Sequence, residues 1–206
     1  MGAFTQSWPP VIRRSQLPRL VAVAILTVLL NSRAAVAPAS AQSFSTEFRL
    51  KAAFLFNFAQ FVQWPTPAFA SDTDPLVIAI VGRDPFDGNL EHLLDGKSVG
   101  GHPLRVLSIS PANQVDLARM HAHLLFVARS EGLSVKGFVQ QIRTSPILTV
   151  SEIPEFARLG GMIEVFEEDG NLHFEINRVS AEQAGLKLSS KLLALARITP
   201  VTIRRP

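Results

Sequence analysis

Three predicted strands are each followed by a pair of polar residues that could bind a small molecule. The pairs are Arg83-Asp84, Ser130-Glu131 and Ser151-Glu152. In an open parallel sheet, ligands bind beyond the carboxyl ends of the strands, so the pairs predict a pocket at that edge. The predicted pocket residues are Asp84, Ser130, Glu131, Ser151 and Glu152. The alternative is that Asp84, Ser130 and Ser151 cap the helices that follow, as these residue types commonly do.

The remaining reactive side chains do not form a catalytic set. His121 and His123 stand at strand spacing, but zinc usually takes three or four ligands and the sequence supplies no third. There is no cysteine and no G-x-S-x-G turn. Ser189 and Lys191 are two residues apart, and side chains at that spacing do not face each other on a helix. We therefore predict no catalytic residues, no metal and no cofactor, and an enzyme is the weaker class of function.

The first 41 residues have the order of a secretory signal peptide. Three arginines precede an apolar stretch from Leu20 to Leu30, and Ala39-Ser40-Ala41 matches an A-x-A cleavage site. A membrane anchor is the alternative, but a helix of this length rises only about 16 Å and the hydrocarbon core is ~30 Å thick. We predict a cleaved signal peptide over residues 1–41, export of the mature chain and a single domain over residues 42–206.

Charge and cysteine content argue against two further classes of function. The leader holds four arginines and no acidic residue, so the mature chain carries 16 basic and 17 acidic residues. No basic stripe with interleaved aromatic residues remains, which argues against nucleic acid as a partner. Without cysteine, disulfides and thiol redox chemistry are excluded, and stability depends on burial of apolar surface.

A phenylalanine-rich segment over residues 44–64 predicts the first mature helix. Its polar positions Thr46, Arg49, Asn57 and Gln60 form one narrow stripe, so apolar residues cover most of the helix surface. Such a helix is either sandwiched in the core or also contacts a partner or a second subunit. We favour the core, because large apolar patches rarely stay exposed on a monomer. The candidate interface residues are Phe48, Phe54, Phe58 and Phe61.

The rest of the chain alternates strands with helices. Predicted strands over 76–81, 104–109, 123–127 and 147–150 are separated by predicted helices over 86–94, 115–120 and 135–142. This spacing favours βαβ units with a mainly parallel sheet. Residues 162–166 and 172–176 flank Asp169-Gly170, which predicts an antiparallel hairpin. Ser180 and Gln183 suggest a capping box, and a last helix is predicted over residues 188–195.

The predicted architecture is therefore an α/β three-layer sandwich. It has a mainly parallel sheet, helices on both faces and the C-terminal antiparallel hairpin at one edge. In such an arrangement the hairpin exposes one face to water, because apolar and polar residues alternate along its second strand.

Several motifs, in order along residues 46–198, resemble the YfiR-like family of periplasmic regulators. They are LKAAFLFNFA at 50–59, FVQWP at 61–65, VGRDPF at 81–86, ILTVSE at 147–152, GGMI at 160–163, FEIN at 174–177 and AGLKLSSKLL at 184–193. Members resemble proteins that bind the periplasmic domain of an inner-membrane diguanylate cyclase and keep its output low. The resemblance also implies a homodimer and an outer-membrane lipoprotein as a further partner.

The resemblance does not extend to every feature of the family. Some members carry cysteine pairs, and this chain has none. His102 and Arg83 stand where members often have an arginine and an acidic residue, so the ligand preference of the family is not transferred. Two functions follow: a non-enzymatic repressor of a diguanylate cyclase, acting in cyclic-di-GMP signalling and biofilm control, or a periplasmic small-molecule-binding module that serves a sensor kinase or transport system.

Overall fold

The structure is a computed structural model that describes residues 39–109, 121–132 and 134–200. The chain divides into two compact units, Met1–Phe44 and Ser45–Pro206, and the description below concerns the second. The predicted signal peptide and the predicted helix over 115–120 lie outside the described residues, apart from residues 39–41.

Short helices and strands alternate along the described residues. The helices are α1 (Ala39–Gln60), α2 (Leu90–Leu94), α3 (Val135–Ile142), α4 (Arg178–Gln183) and α5 (Ser190–Leu195). The strands are β1 (Val62–Gln63), β2 (Leu76–Val81), β3 (Ser98–Val99), β4 (His102–Ile109), β5 (Leu124–Val127), β6 (Leu148–Ser151), β7 (Ile163–Glu168), β8 (Asn171–Ile176), β9 (Lys187–Leu188) and β10 (Arg197–Ile198).

Eight of these strands form one mixed sheet in the order β10-β8-β7-β6-β5-β2-β4-β3. The central strands β4, β2, β5, β6 and β7 pair in parallel, whereas β7 with β8 and β3 with β4 are antiparallel. All six residues of β2 are buried, as expected for a continuous apolar run in a parallel sheet. The predicted α/β class and mainly parallel sheet are confirmed.

Alternate residues of β2 belong to two separate apolar clusters. Ile78 packs in the cluster that contains Leu55 and Phe58 of α1, and Ala79 packs in the cluster that contains Phe138 of α3. Because successive strand residues point to opposite faces, α1 and α3 cover opposite faces of this strand. The apolar residues of α3 follow the i, i+3, i+4, i+7 spacing of an amphipathic helix, and the predicted bounds of this helix are confirmed.

Three predicted helices have the wrong bounds. α1 ends at Gln60, before the predicted end at 64, because Val62 and Gln63 pair with Leu188 and Lys187 of β9. That pairing also shortens the last helix, which begins at Ser190 with Ser189 as its N-cap. α2 covers only the second half of the predicted segment 86–94, since the preceding residues form turns.

The C-terminal hairpin is confirmed, but its predicted position at the sheet edge is wrong. Asp169 and Gly170 both have positive φ, as a two-residue hairpin turn requires. β10 pairs in parallel with β8 and covers part of it, so β8 is not the outermost strand. The predicted capping box is also wrong, because Asn177 caps α4 and accepts the N–H of Ser180 at 3.0 Å.

Candidate functional site

The polar pairs at the carboxyl ends of the strands lie along one edge of the sheet. β6, β5 and β2 are parallel neighbours, so the residues that follow them are brought together. Ser130 lies beside the turn that follows β2, where its Oγ accepts the N–H of Arg83 at 2.9 Å. The same hydroxyl donates to Oε1 of Glu131 at 3.2 Å. The structure therefore places Ser130 and Glu131 next to the Arg83-Asp84 pair.

Asp84 and Ser151 bind backbone groups of the turns that follow them, and Ser151 also binds a carbonyl of β5. The carboxylate of Asp84 accepts the N–H groups of Phe86 and Gly88 at 2.8 and 2.9 Å. Ser151 is completely buried, donates to the Val127 carbonyl at 2.7 Å and accepts the N–H of Ile153 at 3.0 Å. Both side chains hold turns, and neither caps a helix N-terminus as the alternative interpretation predicted.

Glu152 forms an ion pair with a lysine of α1. Its carboxylate lies 2.6 Å from Nζ of Lys51, and each side chain is 11% exposed. Burial disfavours the charge on Lys51, but hydrogen bonds to Glu152 and Glu47 outweigh it and raise the pKa of Lys51 above its ordinary value. This pair attaches α1 to the end of β6, at the carboxyl edge of the sheet.

The four candidate interface phenylalanines differ in burial. Phe58 is 1% exposed and contacts the rings of Phe54 and Phe174 at centroid distances of 5.6 and 5.1 Å. Phe48, Phe54 and Phe61 are half-buried. Arg49, Asn57 and Gln60 of the predicted polar stripe are exposed, with Ala53. Leu50, beside the stripe, is a large apolar residue of α1 that remains 45% exposed.

The amino edge of the sheet contains an aromatic cluster that the sequence analysis did not predict. The ring of Phe69, in the loop before β2, is stacked between His102 and His123 at centroid distances of 3.9 and 4.1 Å. Trp64 meets His123 edge to face, and its indole N–H donates to the His123 carbonyl at 3.1 Å. We call Phe69, His102 and His123 the ring stack.

Hydrogen bonds indicate a ring nitrogen that carries a proton in each imidazole of the ring stack. Nδ1 of His123 accepts the N–H of Val77 at 3.1 Å, so Nε2 carries the proton and donates to the Ala68 carbonyl at 3.0 Å. Burial, which disfavours the charged ring, lowers the pKa of His123. Nδ1 of His102 donates to the Asp74 carbonyl at 2.7 Å. Both rings thereby hold the loop between β1 and β2 against the sheet.

The paired histidines singled out in the sequence have different environments. His123 is buried, whereas His121 is exposed and has a φ of 45°. Strand β5 begins only at Leu124, so the strand spacing assumed for these residues does not apply. Among the described residues, no group of three or more His, Asp or Glu side chains could hold a metal ion.

These features define an α/β domain with a mixed, mostly parallel sheet, whose polar groups hold turns and loops together. A YfiR/HmsC-like family model (DUF4154) matches residues 48–197. The chain belongs to this family, which is generally regulatory rather than catalytic. In the described part of the chain, no helix is both long and apolar enough to cross a membrane.

Comparison with individual proteins adds little to the family match. No curated protein matches the chain. Among solved structures, a conserved domain protein from Vibrio cholerae O1 biovar El Tor is similar, with 12% identity and a TM-score of 0.46. The similarity covers 72% of this chain and 60% of that protein, so the chain spans less than two thirds of it.

Proposed function

We propose that the protein is a periplasmic regulator that binds the periplasmic domain of an inner-membrane diguanylate cyclase and represses it. Membership of the YfiR/HmsC-like family is the observation that carries this proposal. The signal-peptide pattern over residues 1–41 supports a periplasmic location. A homodimer and an outer-membrane lipoprotein partner belong to the same proposal, and control of biofilm formation through cyclic-di-GMP is its expected output.

The exposed side of α1 is the part of the surface that we propose for contact with the cyclase. Leu50 and Phe54 lie four residues apart, which places them on neighbouring positions of the helix surface. Leu50 is 45% exposed and Phe54 half-buried, so both can contribute apolar area to a partner. Phe58 is in the core, and its replacement would test folding rather than binding.

A substitution of Leu50 tests this proposal. Deletion of the gene should raise cyclic-di-GMP, and the wild-type chain should restore the low level. We expect Leu50→Asp to weaken co-purification with the periplasmic domain of the neighbouring cyclase by about tenfold or more, since a charge in an apolar contact is strongly unfavourable. The variant should remain folded by circular dichroism, because Leu50 is partly solvated in the isolated chain.

Leu195→Asp is the matched control. It introduces the same change at a helical position that is 75% exposed, on α5. Loss of binding in Leu195→Asp with normal binding in Leu50→Asp would move the interface to the C-terminal region. Unchanged cyclic-di-GMP after deletion, together with no complex, would reject the repressor function itself.

A further inference from the structure

A cavity of about 470 Å³ lies at the amino edge of the sheet, next to the ring stack. Its floor includes Val77 of β2 and Leu107 of β4, and the loop before β2 contributes Ala68 and Pro75. Volumes of this order are typical of sites for small organic molecules. The cavity is therefore large enough for a ligand with an apolar body.

The sheet arranges the polar walls of this cavity in one row. Arg105 is in register with Val77 on one side, and the N–H of His123 donates to the Val77 carbonyl at 2.9 Å on the other. Neighbouring strands are about 4.8 Å apart, so a guanidinium and an imidazole flank the apolar floor. His121, two residues before His123, also lines the cavity and is exposed.

Asp74 and Arg105, the acidic and the basic residue of the lining, do not form an ion pair with each other. Asp74, also in the lining, accepts the N–H groups of Ala70 and Ser71 at 3.0 and 3.1 Å and the Ser71 hydroxyl at 2.8 Å. These bonds hold the pKa of Asp74 below its ordinary value, with the Ser71 hydroxyl as the largest cause. Arg105 has no ion pair with any other residue that the structure describes. The oxygens of Asp74 are thus engaged by their own turn, and Arg105 is the charged group of the lining that is available to a ligand.

From this arrangement we infer that the amino-edge cavity binds a small organic carboxylate. The planar guanidinium of Arg105 matches a carboxylate with two parallel hydrogen bonds. The apolar body of the ligand lies over Val77 and Leu107, which favours an organic anion over inorganic phosphate. This site is at the opposite edge of the sheet from the predicted pocket residues, and it does not depend on the repressor function.

A carboxylate bound in the cavity would contact both the loop before β2 and the sheet. The ligand would contact Ala68 and Pro75 of the loop as well as Val77 and Arg105 of the strands. The ring stack already fixes that loop through the bonds of His123 and His102 to the Ala68 and Asp74 carbonyls. The binding surface is therefore largely preformed, and binding should increase the stability of the folded chain.

Titration of ¹⁵N-labelled protein with benzoate tests the inference. We expect saturable shifts of the amide signals of Val77, Arg105, His121 and His123. Benzamide, which has the same shape without the charge, should bind about tenfold more weakly or worse. Absence of saturable shifts with benzoate, or equal shifts with benzamide, would overturn the proposal.

Two variants identify the group that holds the carboxylate. Arg105→Gln should weaken benzoate binding by about tenfold. Arg83→Gln, a matched change at an exposed arginine beyond β2 at the carboxyl edge, should leave binding unchanged. Loss of binding in Arg83→Gln alone would move the site to the carboxyl edge, and inorganic phosphate binding as tightly as benzoate would reject the preference for an organic anion.

Discussion

The two edges of the central sheet use their polar residues differently. At the carboxyl edge, Asp84, Ser130 and Ser151 accept backbone N–H groups of the turns that follow the strands. At the amino edge, His102 and His123 fix a loop from a distant part of the chain and leave a cavity beside them. Polar residues that follow a strand can thus be engaged in fixing turns, whereas at the amino edge a loop and the sheet enclose a cavity.

The two edges also differ in how the pKa of a buried basic group is shifted. Burial disfavours the charged form of both Lys51 and His123. Lys51 has two carboxylates as hydrogen-bond partners, so its charge is retained and its pKa rises. For His123, burial outweighs the hydrogen bond to the Ala68 carbonyl, which acts to raise the pKa, so its pKa falls. Carboxylate partners therefore outweigh burial at the carboxyl edge, whereas burial prevails at the amino edge.

The largest expected effect concerns the ion pair at the carboxyl edge. Lys51→Met leaves the carboxylate of Glu152, 11% exposed, without its counter-ion. We expect the free energy of unfolding to fall by about 2–3 kcal/mol, near the lower end of the cost of breaking a buried pair. Urea denaturation followed by circular dichroism would measure the change.

An exposed ion pair serves as the control for that measurement. Arg178 and Glu182 pair on α4 with side chains that are 62% and 56% exposed. Arg178→Met should cost no more than about 0.5 kcal/mol. Equal effects of Lys51→Met and Arg178→Met would show that the attachment of α1 to β6 contributes no more than a surface pair.

A glycine at the carboxyl edge is expected to show the next largest effect. Gly82 has a φ of 97°, and a Cβ there would lie 2.6 Å from Oγ of Ser130. Gly82→Ala must therefore displace the hydroxyl that accepts the Arg83 N–H. Gly88 has a φ of 75° and open space around it, so Gly88→Ala measures the backbone cost alone.

The difference in stability between these two variants measures the contribution of close packing at the carboxyl edge. We expect Gly82→Ala to lower the free energy of unfolding by about 1–2 kcal/mol more than Gly88→Ala, because the side chains of Ser130 and Glu131 must move and the hydrogen bond to the Arg83 N–H is lost, in addition to the backbone strain. Chemical denaturation of both variants provides the comparison. If their stabilities agree, Ser130 and Glu131 are held more loosely than the structure indicates, and the edge has room for a ligand.

Sequence patterns predicted the elements whose signal is local. The periodicity of α3 and the apolar run of β2 gave a helix and a strand at the observed positions, because burial on one or both faces leaves its pattern in neighbouring residues. The same logic failed for the end of α1. Val62 and Gln63 become a strand through pairing with residues 187–188, and no local pattern contains that information.

The ring stack could not be predicted for the same reason. Phe69, His102 and His123 come from a loop, a strand start and the entry to another strand, and only the tertiary fold brings them together. Phe69 in the proline-rich loop over 65–75 indicated that an aromatic side chain of this loop packs against the domain. The sequence did not indicate which residues it contacts. The sequence predicted the edge of the sheet at which the polar pairs lie. It did not predict that Asp84, Ser130 and Ser151 hydrogen-bond to backbone N–H groups of turns.

The smallest expected effect is a pH dependence that originates at the amino edge. The pKa of His123 is lower in the folded chain than the ordinary value of 6.5. The unfolded chain therefore binds more protons between these two pKa values, and the stability that neutral His123 contributes is present above pH 6.5 and lost as the pH falls through the folded pKa. The slope from this one proton cannot exceed about 1.4 kcal/mol per pH unit.

Comparison of His123→Gln with His121→Gln tests whether His123 causes this pH dependence of stability. His123→Gln should reduce the acid-side loss of stability, measured by urea denaturation at several pH values, because the group that gains the proton is absent. His121 is exposed and two residues away, so its replacement should leave the slope unchanged. An equal reduction in both variants would mean that the buried ring of His123 is not the source of the slope, and the electrostatic difference between the two edges would no longer be supported.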